Sequence, residues 1–240
     1  MNAQFLAIAQ DPSIIPGVHH HCDEWCDYCA VPERCLAFRC TAAFRQQHRR
    51  RPADPTFASM DEAIAFTREL AALDGSSTEE LDALLAKPGG GHGLETTDPL
   101  ASIAWDYAVG AAFLFTGGSM AHLGRGWRGA KAAPEDVVLW HHLRIYMKLV
   151  RALVSRSVDD ANGCAKLVLV SAAKSRSALI AMREGGRDSV DPLIVALEDL
   201  ERGIEKRFPM ARGYVRAGLD CPVGVQNESP RSEPRGLSDE

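Results

Sequence analysis

Aromatic residues are scarce in this sequence: Phe, Trp and Tyr make up 7% of its 240 residues, although 46% of the chain is apolar. A core must therefore be built mainly from aliphatic side chains, and the length is enough to bury one without a metal holding all of it together. The net charge of −5 arises from both signs spread along the chain, which leaves no basic footprint for nucleic acid or an anionic membrane. No segment is a membrane span of roughly 18 uncharged apolar residues, and MNAQFLAIAQ lacks the basic start of a secretory leader. Strands of alternating polarity bounded by hairpin turns are also missing, which disfavours sheet folds. Glu-x-x-His, His-Glu-x-x-His and Gly-x-Ser-x-Gly do not occur, which removes the usual signatures of di-iron bundles, zinc proteases and serine hydrolases. These absences predict a cytoplasmic protein whose partner is another protein or a small molecule.

Cysteine, by contrast, is concentrated. Five of the seven cysteines, Cys22, Cys26, Cys29, Cys35 and Cys40, follow directly on His19, His20 and His21. A disulfide framework belongs to small secreted domains, whereas reduced thiols in the cytosol are free to ligate metal. Cys22, Cys26 and Cys29 stand at offsets of zero, four and seven, which in a helix would place three thiols on one face, and Cys35 follows a stretch in which Pro32 lets the chain fold back. An iron–sulfur cluster lets each thiolate hold a different iron, while a single zinc gathers all four sulfurs at about 2.3 Å from one point. The compact spacing favours a cluster, four-iron in the fullest case, with zinc as the alternative. Any of His19 to His21 can replace one thiol, Cys40 is a spectator or spare ligand, and Cys164 and Cys221 read as ordinary thiols.

The rest of the chain reads as helical. Residues 1–18 form an irregular lead-in, and Arg45 to Pro55 a basic, proline-marked linker. Ser59 with Glu62 predicts a helix to about Leu73, and Ser77 with Glu80 a second that Pro88 ends. Asp98-Pro99 opens a third helix stopped by Gly117 and Gly118, and Pro134 opens the longest, to about Arg156. Asp159 or Asp160 caps the next, which ends at Gly185. Asp191-Pro192 starts the last, with Leu193, Leu197, Leu200 and Ile204 in one apolar stripe. The expected fold is all-α: a Cys-rich metal-binding module and basic linker at 1–52, a bundle-like helical domain at 53–221 and a disordered tail at 222–240.

Two resemblances attach to the cysteines. The run Cys22-Asp-Glu-Trp-Cys26-Asp-Tyr-Cys29 resembles the cluster motif of the radical S-adenosylmethionine enzymes, whose three thiolates hold a four-iron cluster with one open iron for the cosubstrate. That resemblance implies a cluster-dependent redox or radical enzyme on a barrel of strand and helix units. More broadly, four stretches are similar to an uncharacterised family of bacterial cysteine-rich helical proteins. They are His21-Cys22-Asp23-x-Trp25-Cys26-x-x-Cys29, Arg34-Cys35, the Trp140 helix running to Arg151-Ala152-Leu153, and the stretch from Phe208-Pro209 to Leu219-Asp220. This second resemblance implies Cys22, Cys26, Cys29 and Cys35 as the ligand set.

Two further features carry less chemistry. Gly124-Arg-Gly126-Trp-Arg-Gly129 has the spacing of a dinucleotide loop but no strand before it, so it reads as a basic connection. In the long helix, His141, Arg144, Lys148 and Arg151 share a polar face that reads as solvated, and His142 reads as a hydrogen-bonded core histidine.

Overall fold

A computed structural model describes residues 2–50, 56–75, 98–116 and 132–220. Among these residues the chain is all-α, with seven α-helices and no strand. They are α1 (Ala3–Ala9), α2 (Leu36–Gln47), α3 (Met60–Asp74), α4 (Pro99–Thr116), α5 (Pro134–Val154), α6 (Val158–Glu184) and α7 (Asp191–Arg207). Short 3-10 turns lie at Cys26–Tyr28, Pro32–Arg34 and Asp188–Val190.

Helices α4 to α7 pack around one core. Tyr107 and Ala111 of α4, Ile145 and Leu149 of α5, Val168 and Leu179 of α6, and Leu197, Leu200 and Ile204 of α7 are all sealed from solvent. Each such Leu or Ile contributes about 1.5–3 kcal/mol by leaving water, which makes this cluster the main source of stability. Helix α4 is long and apolar enough to cross a membrane by length and composition, with Asp106 its one charged residue. Here it packs against α5 and α7, burying Ala101, Ala104, Tyr107, Ala108 and Ala111.

A second apolar cluster joins Phe5 of α1, Leu36, Cys40 and Phe44 of α2, and Phe66 of α3. Both α1, within the lead-in expected to be irregular, and α2 depart from the sequence expectation. Helix α1 forms because Asn2 caps it, its side chain accepting from the Gln4 N–H at 3.0 Å, and because Phe5 is buried beside the Phe66 ring. Helix α2 starts at Cys35 without any side-chain cap, so the residues carry no start signal. Its buried Leu36, Cys40, Ala43 and Phe44 recur at helical spacing and dock it instead. Arg45 belongs to α2, and Arg50 pairs with Glu62 at 3.1 Å, so part of the expected linker is ordered.

Most other helix starts follow the caps in the sequence. Ser59 Oγ accepts from the Glu62 N–H at 3.2 Å, and Asp98 accepts from the Leu100 N–H at 2.9 Å. Helix α6 is capped by Ser157, accepting from the Asp160 N–H at 3.3 Å, and not by Asp159 or Asp160. Ser157→Ala is expected to lower the urea unfolding midpoint by an amount equivalent to about 1 kcal/mol. The predicted Ser77–Pro88 helix, the Gly124–Gly129 loop, Cys221 and the tail at 222–240 lie outside the described residues.

Candidate metal centre

Cys22, Cys26, Cys29 and Cys35 line one cavity of about 180 Å³. The α-helical face anticipated from their spacing does not form. The chain instead runs through two 3-10 turns, closed by hydrogen bonds from Cys29 N to Cys26 O at 3.2 Å and from Cys35 N to Pro32 O at 3.1 Å. Cys35 leaves the second turn as the first flanking residue of α2, which carries its sulfur back to the other three. All four cysteines are free thiols.

Burial pushes the Cys22 thiol up to about 11 and Cys26 up to about 12, with the neighbouring thiols adding to the shift, and burial also raises Cys35. Ionising several sulfurs in one enclosed space is costly unless positive charge arrives with them. Lys174 and Arg216 lie at the cavity wall, with Trp25 and Tyr28.

The loop carrying the thiols is fastened to α5 and α6. Trp25 is buried and stacks on Trp140, ring centroids 5.3 Å apart, while Trp140 Nε1–H donates to Asp23 O at 3.0 Å. Lys174 Nζ reaches the Asp23 carboxylate at 2.5 Å, and Glu24 accepts from Arg144 at 2.8 Å with Lys148 Nζ 3.7 Å away. Glu24 takes a left-handed backbone conformation at φ 56°, rare for a residue with a Cβ, and these two cations hold its side chain. The cationic face of α5 is therefore a docking surface for Glu24, while Asp23 is held by Lys174 of α6. The solvated reading of Arg144 and Lys148 is corrected, because Glu24 supplies complementary charge from a loop distant in sequence.

His141, placed on that polar face, is sealed from solvent, and neither ring nitrogen has a hydrogen-bond partner. Its ring meets Trp25 edge-to-face at 5.7 Å. Burial pulls it down to about 4 from the ordinary 6.5, Lys174 and Arg144 adding to the drop and Asp23 opposing it. The unfolded chain thus takes up a proton near pH 6.5 that the folded chain refuses until about 4, so stability is complete above 6.5 and falls between those values. The loss from this group is expected to reach up to about 3 kcal/mol. Urea midpoints of the wild type and His141→Gln at pH 7 and pH 4.5 check it, the variant showing the smaller fall. His142 is a buried histidine hydrogen-bonded to Leu139 O at 2.6 Å, as the sequence reading expected.

The neighbouring residues divide differently from the sequence alternatives. None of His19, His20 and His21 lines the cysteine cavity. His19 and His20 stack on each other and face Asp74, which His20 contacts directly through Nε2 and from which His19 Nε2 stands 4.0 Å. His21 turns to Asp160 of α6. Cys40 is buried in the apolar cluster of α1, α2 and α3.

The segment after α7 closes the arrangement. Leu219 packs beside Val18, Val31 and Cys35, and Gly218, at φ +72°, brings its backbone so near Ile15 that a Cβ would stand 2.5 Å from Cδ1. Sequence reading gave these residues no structural role. Their signal, a lone glycine beside apolar Leu219, is too common to interpret without the fold. Comparison with protein-family models, curated proteins and solved structures finds no match for this chain.

Proposed function

We propose that Cys22, Cys26, Cys29 and Cys35 hold one iron–sulfur cluster, and that the cluster serves as a structural or electron-transfer centre docked on the helical domain. The observation that carries this reading is the placement of four thiols around one cavity. The compact sequence spacing of those thiols suits a centre in which each thiolate takes its own iron. Lys174 and Arg216 on the cavity wall are each paired with a carboxylate, Asp23 and Asp220, so the charge of four thiolates is met by the metal centre itself, and a reducing compartment suits both the thiols and the cluster.

A fourth cysteine on the same cavity gives the cluster a closed shell. That favours a structural or electron-transfer role over radical S-adenosylmethionine chemistry, which needs an open iron. The strand and helix units which that resemblance implies are not found among the described residues. We propose a protein or small-molecule partner for the docked module, and neither nucleic acid nor membrane.

Anaerobic purification of the full chain, followed by iron, sulfide and zinc analysis with visible absorption, tests this reading. Broad sulfur-to-iron absorption with matching iron and sulfide is the expected result. A colourless protein with stoichiometric zinc overturns the cluster, and absence of both overturns metal binding.

A further inference from the structure

A second, larger cavity of about 600 Å³, which shares Val18 and Arg216 with the cysteine cavity, has His21, Asp160, Tyr214, Arg151 and Arg156 on its wall. Behind that wall three potential ligands converge. His21 Nε2, a carboxylate oxygen of Asp160 and Cys164 Sγ all lie within 4.8 Å of one another. They come from two distant parts of the chain, and Asp160 and Cys164 share one face of the first turns of α6.

The arrangement around His21 is built for its ring. Gly163 leaves the space: a Cβ there would stand 2.4 Å from His21 Nε2. Tyr214 O–H donates to Asp159 Oδ2 at 3.2 Å, so its oxygen is left to accept from His21 Nδ1–H at 3.3 Å. That bond selects the tautomer whose Nε2 carries a lone pair. Nε2 is buried without a hydrogen-bond partner and faces Asp160 Oδ1 at 3.6 Å, too far for a hydrogen bond. Asp160 is held in place from its other side by Arg151, which donates from Nε to Oδ2 at 3.1 Å and from Nη2 to Oδ1 at 2.8 Å. The fully buried Cys164 thiol points at the same oxygen from 3.8 Å. A lone pair, a carboxylate and a thiol thus face a common point, an arrangement that a cation placed between them resolves.

We propose that His21, Asp160 and Cys164 bind one divalent transition metal, with a fourth position turned toward the larger cavity. The mixed nitrogen, oxygen and sulfur donor set suits zinc, and three protein ligands with one open position is the pattern of sites that exchange a water or bind a ligand. Binding displaces the thiol proton to solvent, so that carboxylate and thiolate together neutralise the dication. Tyr214 is a positioning residue for the histidine. Arg151, which also pairs with Asp160 at 2.8 Å, and Arg156 line the cavity beside the open position and favour an anionic ligand there.

Cobalt(II) titration of the full chain tests the site, using wild type, Cys164→Ser, Asp160→Asn, Tyr214→Phe and the double variant Cys26→Ser/Cys29→Ser. Wild type is expected to bind one cobalt more than Cys164→Ser or Asp160→Asn, with a thiolate-to-cobalt band that both variants lose. The double variant is expected to keep that equivalent and its band, which separates this site from the four-cysteine centre whatever that centre holds. Tyr214→Phe, which leaves the ligands and the core in place, is expected to weaken cobalt binding about tenfold. Equal cobalt uptake and equal spectra for wild type and Cys164→Ser would overturn the proposal. If that variant does not fold, unchanged affinity in Tyr214→Phe together with unchanged uptake in Asp160→Asn would do so.

Discussion

Replacing Cys26 and Cys29 together by Ser is expected to abolish metal binding at the four-cysteine centre while leaving most of the far-ultraviolet helical signal. The reason lies in how the apolar clusters are divided. The core of α4 to α7 is built from its own Leu, Ile, Val and Ala side chains, and the cysteine loop buries Val18, Val31 and Cys35 in a small cluster of its own and Trp25 against Trp140. A loop with so little apolar burial depends on its ligands for order, so removing two of them turns metal binding free energy into lost local structure. Hydrogen exchange should show backbone amides of residues 19–35 losing protection, while those of α6 and α7 keep it. Global loss of helix in the double variant would mean that the loop is an integral part of the bundle core.

Trp140→Ala has the second large effect. It removes the stack on Trp25, the Nε1–H bond to Asp23 O and the ring beneath the Arg144 guanidinium, 4.2 Å from its centroid. The expected loss is about 3 kcal/mol, near the lower end for a tryptophan truncation because Trp140 is only half-buried. Trp140→Phe keeps a ring on Trp25 and removes the N–H, so its expected cost is about 1 kcal/mol. Urea unfolding of both variants measures these values. Metal affinity should fall in the same order, because an undocked loop must be ordered by the metal alone. Equal stability of the two variants would contradict the docking role given to the stack.

The parts of the fold legible in the sequence are those whose signals are local. Asp98-Pro99, Pro134 and Asp191-Pro192 each mark a helix start through side-chain and proline chemistry that acts within one turn, and α4, α5 and α7 begin there. The stripe of Leu193, Leu197, Leu200 and Ile204 is buried as its period requires. Helices α1 and α2 escaped notice because tertiary burial of Phe5, Leu36 and Phe44 holds them more than any propensity or cap does. His141 was misplaced for a related reason. Helical spacing assigns it to the side of Arg144 and Lys148, but Trp25 covers that side once the loop docks.

At the candidate site, the gathering of cysteines was visible in their spacing, but the means of gathering was not. Two 3-10 turns and the start of α2 bring the sulfurs to one cavity, where helical periodicity suggested a single α-helical face. The grouping of His21 with Asp160 and Cys164 could not be read at all. Its members are separated by most of the domain, and Cys164 alone has the look of any buried helix thiol. Gly163 supplies the only local hint, and it acquires meaning only when the His21 ring is seen lying against it.

X-ray absorption at the iron edge, on the anaerobically purified full chain, tests the central claim most directly. The account predicts irons bonded to sulfide and cysteine sulfur with neighbouring irons at short range, and loss of that signal in Cys26→Ser/Cys29→Ser. Protein without iron, or a zinc edge showing one ion with four sulfurs at about 2.3 Å, would contradict it.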